Sequence, residues 1–285
     1  HNLSRNSMKL GFSLSPGGLL FPYHIGVLSS LGDNGYIDET TPLVGSSAGA
    51  IAVASHAAGI DHHKALDGCI RISNRCTELG GARGRLMPLL EQELNDMLPP
   101  NAHEIVNERE GFTGLAYREI FPIGKNVLQN SFETRDDLIE AVCNSSMFPF
   151  FTSNFPFVVR SGRKIPMLNS DDRGIVDKRG IMELTFSKEN ETNTNGKSMI
   201  EMRNEKIYEK KSIISASAMT TKLSTLPRLV VDGYFTVERN RFGCPLFPES
   251  SGVEREITVS VFPHDMIGLN APSNKRDRIS PIIGQ

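Results

Sequence analysis

Apolar positions along the chain come in short runs, punctuated by glycine and proline. Residues 8–14 form a strand-like run that Ser15-Pro16-Gly17-Gly18 breaks, and residues 19–31 are apolar enough for a buried helix closed by Gly32 and Gly35. A second short run at 42–44 leads into Ala48, Ala50, Ile51, Ala52 and Ala54, which read as a helix start. Strand, helix, strand and helix in that order predict a parallel sheet with helices on its faces. Residues 61–76 and 86–98 have the spacing of amphipathic helices, separated by breaks at Gly80-Gly81 and Gly84. Residues 112–121 and 126–132 read as strands, and Thr134 with Asp137 resembles a capping box for a helix through Asn144.

The texture then changes. Residues 145–159 carry Phe148, Phe150, Phe151, Phe155 and Phe157, a density expected of a buried strand and turn, with an acyl tunnel or a membrane-dipping loop as the alternatives. From about 160 to 225 the chain is polar, and 189–197 is almost free of core-forming side chains. Such a stretch buries too little apolar area to offset roughly 1–2 kcal/mol of backbone entropy per residue, so a flexible insertion is expected there. Residues 228–231 and 257–262 resume as strands, and the end from about 271 to 285 is expected to be a frayed tail. The expected organisation is one catalytic domain over 1–270, interrupted by that insertion.

With 285 residues, 39% of them hydrophobic, the chain can bury a large single core. A net charge of -2 argues against a nucleic-acid binder held by phosphate contacts. Cys69, Cys76, Cys143 and Cys244 lack C-x-x-C spacing and are expected to be reduced, intracellular thiols. No apolar stretch approaches the roughly 18–20 residues of a membrane span. The first residue is His1, as expected of a fragment or processed form. His24, His62, His63 and His103 show no ligand spacing with a carboxylate or cysteine and are expected to be ordinary core or surface histidines.

Residues 43–49, Leu-Val-Gly-Ser-Ser-Ala-Gly, hold the chemistry: a strand, then G-x-S-x-G, then a helix. That order describes a nucleophile elbow, a sharp turn lifting one serine clear of the sheet, with Ser47 as the candidate nucleophile. Gly45 and Gly49 leave room where a Cβ would collide across the turn. An ordinary strand–helix turn with a small capping serine is the plainer alternative. A serine hydroxyl needs a base. Asp232, followed by Gly233, ends the strand at 229–231, where α/β sheets place functional groups, although Asp-Gly is also a common turn pair. The glycine pair Gly17-Gly18 before a helix exposes N–H groups suited to a developing oxyanion. A dinucleotide loop fails on spacing, because G-x-G-x-x-G is absent.

Gly17-Gly18, the elbow Gly45-Ser46-Ser47-Ala48-Gly49 and Asp232-Gly233 together resemble the patatin-like phospholipase family. The segments Tyr23-His24-Ile25-Gly26-Val27-Leu28, Arg135-Asp136-Asp137-Leu138-Ile139 and Ser145-Ser146-Met147-Phe148-Pro149 resemble recurrent family segments in the expected order. The resemblance implies a three-layer α/β/α sandwich with a mainly parallel central sheet. It implies a lipid acyl hydrolase acting on phospholipids, galactolipids or acylglycerols, with Ser47 as nucleophile and Asp232 as base of a dyad. It implies an oxyanion hole from Gly17, Gly18, Leu19 and Ala48, no metal or other cofactor, and a lipid partner met at a membrane or lipid-droplet surface. The chain departs from the family's glycine loop at Pro16, Leu20 and Phe21, where glycine, a basic residue and glycine are usual. Pro16 has no N–H to donate, so the donors fall to Gly17, Gly18 or Leu19.

Two other readings remain at this level. The chain order Ser47, Asp232, His264 is that of an α/β-hydrolase triad, although the elbow follows only one earlier strand. A patatin-type domain that binds lipid without turnover is the other. Head group, acyl length and oligomeric state are not encoded in any of these motifs.

Overall fold

In the computed structural model, which describes residues 8–161, 181–184, 226–263 and 277–281, the opening alternation forms as the pattern predicts. Strand β1 (Leu10–Leu14), helix α1 (Phe21–Asp33), strand β2 (Leu43–Ser46) and helix α2 (Ala48–Ala57) follow in order. Helix α1 starts two residues later than the apolar run. Gly18, at φ +54, opens a 3-10 turn over Gly18–Leu20, and Pro22 then fixes the first helical turn. Helices α3 (His62–Glu78), α4 (Leu86–Met97), α5 (Ala102–Glu108) and α6 (Arg135–Ser145) come next, with strands β3 (Thr113–Phe121) and β4 (Lys125–Gln129) before α6. Thr134 caps α6 by accepting from the Asp137 N–H at 3.1 Å. The short α5 has too few turns for its periodicity to show in the sequence.

Strands β5 (Val158–Arg160), β6 (Ile181–Leu184), β7 (Arg228–Val231), β8 (Arg255–Val259) and β9 (Arg278–Ile279) complete one mixed sheet. The pairs β9–β8, β8–β1, β1–β2 and β2–β3 are parallel. Beyond β3 the pairing turns antiparallel, because only residues 122–124 join β3 to β4, too short for a crossover. Of the end expected to fray, 271–285, the described residues are 277–281. Arg278–Ile279 pairs with β8 and covers its outer edge, and Arg255 forms an ion pair with Asp277 beside it. Most of the polar stretch 160–225 lies outside the described residues; within it, Ile181–Leu184 pairs antiparallel with β4.

The α-helices bury their apolar stripes on one face of the sheet. Alternate residues Phe12 and Leu14, then Leu43, Leu115 and Val259, meet Leu28, Val53, Leu94, Leu138 and their neighbours there. On the other face, Phe247 packs against Val44, Ala116 and Leu128, and Ser13 Oγ donates to the Pro245 carbonyl at 2.7 Å. The result is an α/β sandwich.

One detail of the ladder sets everything that follows. Strand β4 occupies one edge of β3 from Leu115 to Glu119. Strand β2 pairs with β3 from Thr113 to Ala116 and β7 from Arg118 to Phe121, so both must lie on the opposite edge. They run in opposite directions. Their carboxyl ends therefore face each other across Tyr117, and the residues that follow, Ser47 and Asp232, are brought together. The junction is tight. A Cβ at Gly233 would stand 2.3 Å from the Ala116 carbonyl oxygen and 2.6 Å from Ser46 Cβ.

This predicts that Gly233→Ala costs about 3 kcal/mol or more of stability, since neither backbone nor sheet can yield. Gly26→Ala, on the exposed side of α1 with nothing within 4 Å of its Cβ, gains about 0.5–1 kcal/mol. Urea denaturation of both variants checks the contrast; equal midpoints would contradict the junction.

Candidate active site

Ser47 sits between β2 and α2 with φ 52 and ψ -121, a conformation that costs a non-glycine residue on the order of 1–3 kcal/mol. Its surroundings hold it there. A Cβ at Gly45 would stand 2.4 Å from the Gly49 carbonyl group, and one at Gly49 would stand 2.4 Å from the Leu14 carbonyl oxygen. Only glycine fits either place, as the elbow pattern requires. The Ser47 N–H donates to Ser145 Oγ at 2.9 Å, and Ser145 Oγ donates to the Ala116 carbonyl at 2.5 Å. Ser145 thus ties the elbow to the middle strand from the end of α6.

Asp232 is fully buried. Its N–H donates to the Met147 carbonyl at 2.8 Å, and its Oδ1 accepts from the Tyr234 N–H at 2.8 Å. The Asp-Gly pair is therefore a turn as well as a positioning device; the two readings of the sequence are compatible. Oδ2 is buried and makes no hydrogen bond of normal geometry, while the Ser47 hydroxyl is near enough to favour the carboxylate. Burial outweighs that help and the Tyr234 N–H, and pushes the carboxyl up to about 7 from 3.8.

Ser47 also borders an apolar cavity of about 70 Å³ between α2, α3 and α4. Ile51, Ile72, Leu86, Leu90 and Met97 line it, and Gly18, Leu19 and Ala48 border it beside Ser47. The N–H groups of Gly18 and Leu19 precede the first bond of their 3-10 turn, and that of Ala48 opens α2, so none has an intrahelical acceptor. Gly17 stands apart from the cavity lining, and its missing side chain makes room for Val261, 2.8 Å from where a Cβ would be.

His24 contributes unexpectedly. It is fully buried, and its Nε2 lies 2.7 Å from the Ser15 carbonyl, which also accepts the Gly49 N–H at 3.1 Å. A carbonyl only accepts, so Nε2 carries the proton. Burial lowers the imidazole to about 4, and the ring is neutral at ordinary pH. His24 therefore joins α1, the root of the glycine loop and the elbow helix. Spacing to other ligand residues could not reveal a histidine that serves a backbone carbonyl. His264, the triad alternative, lies outside the described residues. Among the described residues, no three of His, Cys, Asp and Glu converge as ligands for a metal.

The patatin-like phospholipase family profile matches residues 12–177. The chain belongs to the patatin-like phospholipase family. The matched segment includes the glycine loop and the elbow, and Asp232 lies beyond its end. Human patatin-like phospholipase domain-containing protein 5 is 30% identical over 169 residues, 54% of this chain and 36% of that protein. Human 1-acylglycerol-3-phosphate O-acyltransferase PNPLA3 is 27% identical over 177 residues, 59% of this chain and 36% of that protein. Mouse patatin-like phospholipase domain-containing protein 2 is 27% identical over 188 residues, 62% and 35% respectively. The chain spans about a third of the length of these relatives.

The elevated Asp232 carboxyl makes a prediction about stability. The folded protein keeps a proton that the unfolded chain has lost between pH 3.8 and about 7, so this group's contribution to stability declines as pH rises through that window. Asp232→Asn removes the cost of burying the charge. The variant gains on the parent protein as pH rises from about 4 to 8, and the gap is constant above that. Thermal melts across that range measure it; a pH-independent gap would contradict the buried carboxylate.

Proposed function

We propose that this patatin-like domain is a serine lipid acyl hydrolase with a Ser47–Asp232 dyad. The observation that carries the reading is the meeting of those two residues at opposed strand ends, beside an apolar cavity and a set of unengaged N–H groups. A base with its pKa near 7 is matched to proton transfer at neutral pH. The cavity, whose walls are chiefly aliphatic, suits an acyl chain.

The reaction runs in two halves. Ionised Asp232 takes the hydroxyl proton as Ser47 Oγ attacks the ester carbonyl carbon. The oxyanion forms beside the N–H groups of Gly18, Leu19 and Ala48; the Ser47 N–H is engaged by Ser145 and takes no part. The intermediate collapses, the C–O bond to the alcohol breaks, and the alcohol leaves with the proton from Asp232. The acyl group is now an ester on Ser47. Water then gives a proton to Asp232 as its oxygen attacks the acyl carbon; the bond to Ser47 Oγ breaks, Oγ takes the proton back from Asp232, and the fatty acid is released.

The relative named as an acyltransferase raises a second outcome for the same intermediate, in which an alcohol of a second lipid takes the place of water. Pro16 and Leu20 do not weaken the reading, because the donors it uses begin at Gly18.

Ser47→Ala reduces fatty-acid release from mixed phospholipids and acylglycerols on the order of 10⁴-fold or more, with the melting temperature little changed, since alanine keeps the Cβ and the backbone conformation of the serine. Mass spectrometry of the released fatty acids checks the rate. Retention of the parent rate in Ser47→Ala would overturn the assignment.

A further inference from the structure

The phenylalanine-rich run does not pack away. It was expected to be a buried strand and turn; instead residues 149–157 form a turn followed by bends, and only Val158–Arg160 pairs in the sheet. Phe150 is 54% exposed and Phe155 69% exposed, and Phe148 and Phe151 are also open to solvent. Phe150 adopts φ 58, which is unfavourable for a bulky side chain. Here a strained backbone holds an apolar ring out of the core, so the fold gains no packing in return.

A second segment continues the patch. Leu19 and Leu20, the latter 47% exposed, project from the turn after β1, and Phe151 reaches to within 3.7 Å of where a Gly18 Cβ would lie. The two segments flank the cavity at Ser47, whose lining includes Leu19 and Thr152. Arg83 and Arg85 stand at the margin. Arg83 Nε donates to the Phe150 carbonyl at 3.2 Å, and the Gly84 N–H donates to the Phe151 carbonyl at 2.6 Å. Both guanidinium groups are exposed, and neither pairs with a carboxylate among the described residues.

We propose that Leu20, Phe148, Phe150, Phe151 and Phe155 form a platform that enters the surface of an anionic phospholipid layer, with Arg83 and Arg85 against its head groups. The chemistry is that of an interfacial anchor: apolar side chains enter the acyl boundary, and cations at the margin contact phosphate or carboxylate. A second copy of the chain would find two unpaired arginines at the edge of the same patch, facing their own kind, whereas an anionic surface satisfies both. The platform deepens the lipid reading of the site by naming the surface on which that site opens, but its test needs no turnover.

The test uses Ser47→Ala protein, which leaves vesicles intact, sedimented with phosphatidylcholine vesicles with or without phosphatidylserine. The protein pellets with the mixed vesicles and more weakly with the neutral ones. Phe150→Asn with Phe155→Ser weakens binding to both about ten-fold or more. Leu20→Ser, on the other segment, weakens it in the same direction. Arg83→Gln with Arg85→Gln removes the preference for phosphatidylserine and leaves the neutral binding. Unchanged urea midpoints show that the variants fold. Failure to pellet with either vesicle overturns the proposal, as does binding that ignores these substitutions. A dimer in solution that the phenylalanine variants dissociate would assign the patch to a second copy and overturn it too. Hydrolysis of a soluble short-chain ester by the protein with Ser47 intact is read separately: its loss sinks the dyad, and vesicle binding stands or falls alone.

Discussion

Two strands running head-on along one edge of β3 govern this molecule. Strand β2 arrives parallel to β3 and β7 antiparallel, and the two stop end to end on either side of Tyr117. Their next residues have no room to diverge: Gly233 fits only because it lacks a Cβ, and Gly45 and Gly49 hold the other side of the junction in the same way. The strain at Ser47 and the burial of Asp232 are both consequences of that collision. On the elbow side, Ser145 from α6 ties Ser47 to β3, and His24 from α1 holds the Ser15 carbonyl beside it; on the other side the Asp232 N–H donates to the Met147 carbonyl.

The electrostatics follow from the packing. A carboxylate placed at a strand junction loses its water, and only the Tyr234 N–H and the nearby hydroxyl favour its charge. The cost to folding is the condition that would suit the group to the proposed role of a base near neutral pH. An exposed aspartate would be far weaker as a base, and one fully paired would have no lone pair to offer. The unengaged Oδ2 is therefore where stability and chemistry pull in opposite directions.

Much of the frame was legible in the sequence because it is local. The elbow, its glycines, the first strand–helix repeats and the strand before Asp232 each have a signature a few residues long. The head-on pairing was not, because the direction of β7 depends on contacts more than a hundred residues away, and an Asp-Gly pair is the same pair in any turn. Ser145 and His24 were hidden for a related reason: each serves a backbone group whose position exists only after folding. The phenylalanine run misled because composition records apolar side chains but not the left-handed turn at Phe150 that points one outward.

Whether Asp232 acts on Ser47 across the strand junction can be read with a covalent probe, without knowledge of the substrate. Intact mass and peptide mapping would follow an alkyl fluorophosphonate from pH 5 to 9. A Ser47–Asp232 dyad gives one adduct, on Ser47, formed at a rate that climbs to a plateau above about pH 7 and collapses in Asp232→Asn. Labelling of Ser47 at the parent rate in that variant would contradict it.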